Sequence, residues 1–366
     1  MADGTTPGPD PRPELAALPP AIHGGAHPPS VLDFSTGVSP LATPAAILEA
    51  ARDADLARYP DPTAAPLRAA IAALHGVSPG EVVAGAGSIE LVWALARAFA
   101  GPGRRGVVLA PAFGEYERAL AASGARVDLV RAEPPAFEWR VRDVEAALAD
   151  SSDRPAPALL FVCRPSNPCL VSPPRDFVAA LAARHPRTLI VVDEAFLPMF
   201  GGGEGDGDGV EPIPPAPNVA VLRSLTKVFA LPGLRVGYLL AAPAVAAAVQ
   251  ACLPSWNVSA PAQAAGMVAA RLLPDEAPRI CAAVAALRGA LADGLATLGL
   301  QPVGAGGPFL LYQRPDAAVL CAALAERGVR LRHLASFGLA DHVRIGVRPA
   351  PEQQRLVAIW RELDHR

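Results

Sequence analysis

Lysine is nearly absent from this chain of 366 residues: Lys227 is the only lysine among 32 basic residues. Arginine can replace a lysine that only carries positive charge. It cannot replace a lysine that acts as an amine nucleophile, because the guanidinium stays protonated. A lysine left over by chance in a GC-rich genome would give the same count. The residues around Lys227 therefore have to decide between chance and chemistry.

Cysteine is also scarce. The chain has five cysteines, an odd number, and no two of them are spaced as C-x-x-C. This pattern fits reduced thiols in a cytosol better than a disulfide framework or a zinc site. The sequence therefore predicts a cytoplasmic protein without a metal centre.

Long apolar runs and a strong net charge are missing as well. No run reaches the length of about 18 apolar residues that a membrane-spanning helix needs. The net charge of -3 gives no basic surface for nucleic acid or an anionic membrane, so we expect neither partner. Residues 1–20 lack a basic start followed by an apolar core. They predict a disordered tail rich in proline and alanine rather than a signal peptide.

Short apolar stretches alternate with helical patterns between about residues 80 and 250. Such alternation predicts an α/β fold with a largely parallel sheet between helices. Three predicted helices lie at 88–99, 114–122 and 141–149. The predicted strands are 81–84, 106–110, 126–130, 159–163, 188–192, 219–222 and 236–241.

The remainder of the chain predicts a second, smaller α+β unit. Long helices are expected over 258–300, followed by strands at 309–313, 330–334 and 342–347, a helix at 317–327 and a last helix from Glu352. We divide the chain into a tail (1–20), an N-terminal segment that packs with the small domain (21–50), a large domain (51–255) and a small C-terminal domain (256–366). The acidic, glycine-rich segment Gly201–Gly209 predicts a solvated, flexible loop.

Ser224 lies three residues before Lys227, and Arg235 lies eight residues after it. A hydroxyl and a guanidinium can together hold a phosphate, and a desolvated lysine beside cations has a lowered pKa. The combination predicts that Lys227 forms a Schiff base with pyridoxal 5′-phosphate and that the other two residues bind the cofactor phosphate. Either residue alone would be common on a surface; the spacing S-x-x-K-x7-R makes the prediction specific.

Further candidates follow other predicted strands. The turn Gly85–Glu90 leads into a helix whose first N–H groups could bind the same phosphate. Asp193 closes a strand, where a carboxylate could pair with the pyridine nitrogen or simply cap the next element. Asn167 could donate to the cofactor's 3′-oxygen or form an ordinary turn before proline.

Several side chains have an equally ordinary alternative. Either Phe113 or Tyr116 could stack on the pyridine ring, and core packing would explain both. Tyr59 could reach a phosphate, or it could belong to a turn. Arg344 and Arg332 are candidates for anionic groups of a substrate, although strand arginines more often extend into solvent.

Taken together, these residues resemble a fold-type-I pyridoxal-phosphate enzyme of the class I/II aminotransferase family, from about His23 to the C-terminus. The stretch from Ser224 to Tyr238 is the most specific piece. The resemblance implies a large domain with a mostly parallel seven-stranded sheet between helices, and a smaller α+β domain. Within the family the chain resembles the histidinol-phosphate aminotransferase branch. His23-Gly-Gly, Asp33-Phe-Ser-Thr-Gly and Asp193-Glu-Ala-Phe are closer to the L-threonine-O-3-phosphate decarboxylases of cobalamin synthesis.

The resemblance assigns roles to matching positions. Lys227 is the Schiff-base lysine and proton carrier, Asp193 pairs with the pyridine nitrogen, Asn167 contacts the 3′-oxygen and Phe113 stacks on the ring. The phosphate is bound by Ser224, by Arg235 and by the turn at Gly87 and Ser88. Tyr59 reaches the phosphate from another subunit, which implies a homodimer. Arg344 binds the substrate carboxylate, Arg332 is a candidate for a substrate phosphate, and His23 is a further candidate for substrate binding.

The departures from the family pattern fall near the substrate. The aminotransferase branch usually has tyrosine where Phe196 stands, and the loss of its hydroxyl removes a hydrogen bond to the cofactor. Leu170 replaces the glycine of Asn-Pro-Thr-Gly. The decarboxylase branch usually carries asparagine where Gly37 and Ser39 stand.

Three functions follow as hypotheses. The first is a decarboxylase acting on a phosphorylated amino acid, of the L-threonine-O-3-phosphate type. The second is an aminotransferase acting on histidinol phosphate or a related amine. The third is a catalytically silent scaffold, against which the retained Lys227 and Asp193 argue.

Overall fold

The computed structural model describes residues 10, 12–16, 18–25, 28, 30–151, 154–200 and 214–364. Its strands are β1 Leu32–Asp33, β2 Val82–Gly85, β3 Arg105–Ala110, β4 Arg126–Arg131, β5 Leu159–Cys163, β6 Leu189–Asp193, β7 Val219–Ser224, β8 Gly237–Leu240, β9 Gly304–Gly306, β10 Phe309–Gln313, β11 Val329–Arg330, β12 Arg332–His333 and β13 His342–Gly346. Its α-helices are α1 Pro13–Ala16, α2 Ala45–Arg52, α3 Ala65–His75, α4 Ser88–Phe99, α5 Glu115–Ala122, α6 Val141–Leu148, α7 Arg175–Arg184, α8 Leu225–Val228, α9 Pro243–Ala251, α10 Ala260–Ala296, α11 Ala317–Glu326 and α12 Ala350–Asp364.

A seven-stranded sheet forms the centre of the larger unit, in the order β2-β8-β7-β6-β5-β3-β4. β8 runs antiparallel to both of its neighbours, and the other pairs are parallel. Because helices cover both faces, the central strands are apolar on both sides. In β5, Leu160 and Val162 join one core cluster, while Leu159 and Phe161 join the other. The predicted α/β fold with a mostly parallel seven-stranded sheet is confirmed.

The smaller unit is built around a four-stranded antiparallel sheet in the order β12-β13-β10-β9. Its core contains the fully buried side chains of Trp360, Tyr312 and Phe34. β1, in the N-terminal segment, pairs in parallel with β11 of this unit. α2 of the same segment packs along α10, and Ile47 of α2 joins the core cluster on one face of the large sheet.

Two predicted elements differ from the structure. The expected strand over 330–334 is two strands, because Arg330 pairs with Asp33 whereas Arg332 pairs with Arg344 in the other sheet. The long helices expected over 258–300 are one helix of 37 residues, α10, with two prolines inside it. Proline usually kinks or ends a helix. Here α10 continues past both and packs against α2, α3 and α12.

Two expected flexible segments fall largely or wholly outside the described residues. Within the tail predicted over 1–20, residues 13–16 form α1, and Arg12 donates a hydrogen bond of 2.7 Å to the carbonyl of Ala122, at the end of α5. The structure thus has a short helix at residues 13–16 of the predicted tail. The loop predicted at Gly201–Gly209 lies outside the described residues. Among the residues that are described, no helix is long and apolar enough to cross a membrane.

Acid sensitivity follows from one side chain at the end of α3. His75 shares a hydrogen bond of 2.8 Å with Tyr238 of β8, and burial, together with the charge of Arg223, lowers the His75 pKa to about 4 from 6.5. Between these two values the unfolded chain binds a proton at this position and the folded chain does not. Folding stability should therefore fall as the pH falls through this window.

The test is chemical unfolding of the native protein and of His75→Gln, which keeps a hydrogen-bonding side chain but does not titrate. As the pH falls from about 6.5 to about 4, the unfolding free energy of the native protein should decrease relative to that of the variant. Parallel pH dependences of the two proteins would show that His75 is not the responsible group.

Candidate active site

The predicted cofactor residues lie at or just after the carboxyl ends of neighbouring central strands of the large sheet. β6 ends at Asp193, β7 ends at Ser224, and Asn167 follows the end of β5. Asp193 lies opposite Leu222 of β7 and opposite Cys163 of β5. Ligands of parallel sheets gather beyond the carboxyl ends of their strands, so these positions converge on the expected region.

Lys227 lies on the one-turn helix α8 directly after β7 and is largely buried. Burial is the main cause that lowers its pKa to about 8. The positive charges of Arg235 and Arg344 add to this effect, and the negative charge of Asp193 opposes it. About a tenth of such amines are neutral at pH 7, far more than for an exposed lysine. Lys227 therefore has the reactivity that an amine nucleophile needs.

Asp193 is a buried carboxylate whose hydrogen-bond donors are neutral. Tyr116 donates its hydroxyl to Oδ2 at 2.7 Å, and the backbone N–H of Ala195 donates to Oδ1 at 2.9 Å. Burial raises the Asp193 pKa, and both hydrogen bonds oppose that rise. Among the described residues no arginine, lysine or histidine is hydrogen-bonded to this carboxylate. A buried acid with no bonded cation fits a protonated pyridine nitrogen.

The turn from β2 into α4 forms a candidate anion site together with Arg235. Gly87 has a φ of +81°, and a Cβ there would lie 2.5 Å from Nη2 of Arg235. Ser88 begins α4, so the first N–H groups of this helix have no acceptor within the helix. Among the described residues, Arg235 donates only to the backbone carbonyls of Pro232 and Ala86. A glycine turn, a helix start and a guanidinium that is bonded only to neutral carbonyls suit a phosphate.

Ser224 ends β7 beside this turn, and its hydroxyl shares a hydrogen bond of 2.7 Å with the hydroxyl of Thr226. Gly237 lies opposite Ser224 in the sheet, and a Cβ there would lie 2.5 Å from the backbone nitrogen of Ser88. Ser224 and Ser88 thus lie on two sides of Gly237, close to each other. The structure brings together the residues predicted to bind the cofactor phosphate, apart from Tyr59.

A second cationic group lies on the smaller unit. Arg344 of β13 is buried, and it donates to the side-chain oxygen of Asn167 and, at 3.0 Å, to the carbonyl of Ser35. Its guanidinium lies 4.0 Å above the ring of Phe309. Burial, with the nearby charge of Arg332, lowers the Arg344 pKa to about 9. Its Nε is buried and has no hydrogen-bond partner among the described residues.

Arg332 is the cross-strand neighbour of Arg344. It donates to the carbonyl of Ile22 and to the hydroxyl of Ser336, at 2.8 and 2.9 Å. Within the described part of the chain neither arginine is bonded to a carboxylate. Two adjacent guanidinium groups without an acidic partner are suited to a ligand that carries its own negative charge.

The side chains of His23 and Phe113 pack against each other. Their ring centroids are 5.6 Å apart, and Nε2 of His23 lies 2.9 Å from Oε1 of the buried Glu115. Tyr59 does not join the site within one chain. It is 83% exposed, and its ring contacts that of Trp256 at 5.0 Å.

Phe309 explains in part why Phe196 and Gly37 depart from the family pattern. Its ring meets the ring of Phe196 edge-on at 5.2 Å, and Phe196 lies 5.8 Å from Nζ of Lys227. A Cβ added at Gly37 would overlap the Phe309 ring. The wall beside Lys227 is therefore aromatic, and it leaves Gly37 no room for a side chain.

Sequence reasoning missed three contacts that hold the site. Tyr116, expected as a possible stacking ring, donates to Asp193 instead. Glu90 accepts hydrogen bonds of 2.7 Å from the N–H of Ala86 and from Asn257, and so fixes the glycine turn. Glu90 in the first turn of a helix after glycine is a pattern that could have been recognised. The contribution of Asn257 has no comparable local pattern.

The sequence model of the family "Aminotransferase class I and II" matches residues 29–359. A histidinol-phosphate aminotransferase of Nitratidesulfovibrio vulgaris (strain DP4) is 33% identical over 341 residues, which cover 91% of this chain and 88% of that protein. The solved histidinol-phosphate aminotransferase of Sinorhizobium meliloti, in complex with pyridoxal-5′-phosphate, aligns with a TM-score of 0.81 at 24% identity over 96% of this chain and 97% of that one.

The solved L-threonine-O-3-phosphate decarboxylase of Porphyromonas gingivalis aligns with a TM-score of 0.74 at 23% identity, over 91% of this chain and 99% of that one. These matches confirm the resemblance seen in the sequence. The chain belongs to the class I and II aminotransferase family, and it is an enzyme that uses pyridoxal 5′-phosphate. The uncompensated acid at Asp193 and the anion site at Arg235 fit that cofactor.

The role of Lys227 can be tested because the chain has no other lysine. We expect the purified protein to be yellow, and borohydride to fix the cofactor to the peptide that contains Lys227, as measured by mass spectrometry. Lys227→Arg keeps the charge but cannot attack a carbonyl, so it should retain no cofactor after reduction and denaturation. Equal retention by the variant would contradict the assignment.

Proposed function

We propose that the chain is an aminotransferase acting on histidinol phosphate or a closely related phosphorylated amine, with a 2-oxo acid as the acceptor. The sequence alone placed an L-threonine-O-3-phosphate decarboxylase first. The relatives favour the alternative, because the Nitratidesulfovibrio vulgaris protein, at 33% identity, is named histidinol-phosphate aminotransferase. The decarboxylase neighbour shares 23% identity, a level that supports the fold alone.

The observation that carries the proposal is the pair Arg344 and Arg332. A transaminase binds two substrates in turn, here a phosphorylated amine and a dicarboxylic amino or oxo acid. Arg344 is fixed by Asn167 and Ser35, so it can orient one anionic group at a constant place. Arg332 is half-exposed and bonded to neutral oxygens, so it can turn between a phosphate and a carboxylate without breaking an ion pair.

Pyridoxal phosphate, when bound, supplies an electron sink for bonds at the substrate's α-carbon. The remaining tasks belong to the chain's own residues. The amine of Lys227, with its lowered pKa, can accept and return a proton near neutral pH. Asp193 would pair its carboxylate with the protonated ring nitrogen of the cofactor. Phe196 and Phe309 keep water from the proton that Lys227 moves.

Gly37 argues against the decarboxylase. The decarboxylase branch usually carries asparagine at this position, and the Phe309 ring fills the space that such a side chain would need. One observation favours that second candidate. His23, which belongs to a motif closer to the decarboxylases, packs against Phe113 and is bonded to Glu115. Both reactions share the cofactor, and they differ in which bond at the α-carbon breaks.

Two incubations separate the candidates. With histidinol phosphate and 2-oxoglutarate we expect glutamate to form, and with L-threonine O-3-phosphate we expect no carbon dioxide. Arg332→Gln should raise KM for the phosphorylated amine more than for an unphosphorylated analogue, by about ten-fold or more, because a charged hydrogen bond is lost. Carbon dioxide from the second substrate without glutamate from the first would overturn the proposal in favour of the decarboxylase.

We also propose a homodimer in which Tyr59 completes the phosphate site of the other subunit. The support is the family resemblance, together with an exposed apolar surface formed by Leu56, Tyr59 and Trp256. This surface lies on the chain segments at residues 56–62 and 256, which are joined by the hydrogen bond from the Trp256 N–H to the Pro62 carbonyl.

Mixing two inactive variants tests shared sites. Tyr59→Ala and Lys227→Arg should each have low activity. After subunit exchange in equal amounts, about a quarter of the sites should be intact, because half of the dimers are mixed and each mixed dimer has one complete site. No recovery despite demonstrated exchange would place Tyr59 outside the partner's site.

A further inference from the structure

Tyr116 has no assigned task, yet its hydroxyl is the one side-chain group hydrogen-bonded to the Asp193 carboxylate among the described residues. We propose that Tyr116 is a positioning residue, whose hydroxyl fixes the orientation of this carboxylate and keeps it ionised for the cofactor's ring nitrogen. The inference rests on the role of Asp193 as the partner of that nitrogen.

The ring of Tyr116 cannot turn away from Asp193. It is fully buried and lies parallel to the ring of Phe161, with centroids 4.9 Å apart and an angle of 4° between the planes. Its other side meets Phe113 edge-on at 5.7 Å and 84°. Because aromatic rings pack against both sides of Tyr116, its hydroxyl is held in one position. From there it donates to Oδ2 of Asp193 at 2.7 Å.

The proton of this hydrogen bond stays on the tyrosine. Burial raises the pKa of Tyr116 well above its usual range, and the negative charge of Asp193 raises it further. Tyr116 is therefore a neutral donor at every working pH. It stabilises the ionised carboxylate without adding a positive charge that would compete with a cationic ring nitrogen.

The other groups around Asp193 do not take over this task. Cys163 of β5 directs its thiol to the carbonyl of Pro165, and burial raises the Cys163 pKa to about 12, so it stays neutral. Glu194, next in the chain, raises the Asp193 pKa, and its own charge is paired with Arg164 and Arg223. Lys227 lowers the Asp193 pKa, but it is the smallest of these influences.

Tyr116 also connects two cofactor contacts. Phe113, the expected stacking ring, rests against the edge of Tyr116, while the hydroxyl of Tyr116 holds Asp193. Removing the oxygen alone leaves the ring packing in place, so Tyr116→Phe isolates the hydrogen bond. Tyr312→Phe is a matched control, because the Tyr312 hydroxyl is also buried and has no hydrogen-bond partner among the described residues.

The measurement is the affinity of the cofactor-free protein for pyridoxal 5′-phosphate as a function of pH. Affinity should fall as the pH falls through the pKa of Asp193. Tyr116→Phe should bind the cofactor about ten-fold more weakly or worse, and its acid limb should move up by about one pH unit, because a hydrogen bond that lowers the carboxylate pKa is gone. Tyr312→Phe should match the native protein in both respects.

A double-mutant cycle with Asp193→Asn separates the possible failures. If Tyr116 acts through Asp193, Tyr116→Phe should have no further effect in the Asp193→Asn background. An unmoved acid limb in Tyr116→Phe, with or without weaker binding, overturns the proposal and leaves Tyr116 a packing role. If Asp193→Asn itself binds the cofactor like the native protein, the Asp193 assignment fails, and the role of Tyr116 fails with it.

Discussion

The site depends on buried charges that, within the described part of the chain, have no opposite charge bonded to them. Burial raises the pKa of Asp193, lowers that of Lys227 to about 8 and lowers that of Arg344 to about 9. Each shift shows that the charged form is destabilised by lost hydration. A ligand that brings a ring cation to Asp193 and an anion to the arginines relieves these costs. Cofactor and substrate affinity and the reactivity of Lys227 then have one physical origin.

Five arginines near the site fall into two groups: those that donate to a carboxylate and those that donate to neutral oxygens. Arg164 and Arg223 are buried, and each forms an ion pair with the carboxylate of Glu194 inside the protein. Arg235 and Arg332 donate to carbonyls and a hydroxyl, and Arg344 to a carbonyl and an amide oxygen. Breaking a buried ion pair is costly, whereas exchanging a neutral acceptor for an anion is favourable. The second group is therefore the one available to ligands.

The sequence predicted the strands of the large sheet within one or two residues, because strands buried on both faces are continuous apolar runs. It also placed the candidate cofactor residues Asn167, Asp193 and Ser224 at or after strand ends, where the structure has them. It could not predict contacts between distant segments. Tyr116 and Asp193 are 77 positions apart, and which aromatic ring would stack and which would donate depended on their packing. The strand expected at 330–334 was wrong, since Leu331 marks a change of pairing partner that no local pattern records.

The neutrality of Tyr116 explains why this position is suited to a phenol rather than to a basic residue. A cation bonded to Asp193 would compensate the carboxylate before any cofactor arrived, so a ring nitrogen would gain less from the contact. A neutral donor orients the carboxylate and leaves its charge uncompensated. Burying that uncompensated charge lowers the free energy of unfolding of the cofactor-free protein, as strain at functional sites commonly does. A ligand that brings a positive charge to Asp193 offsets this cost when it binds. Binding of the cofactor would therefore stabilise the folded protein.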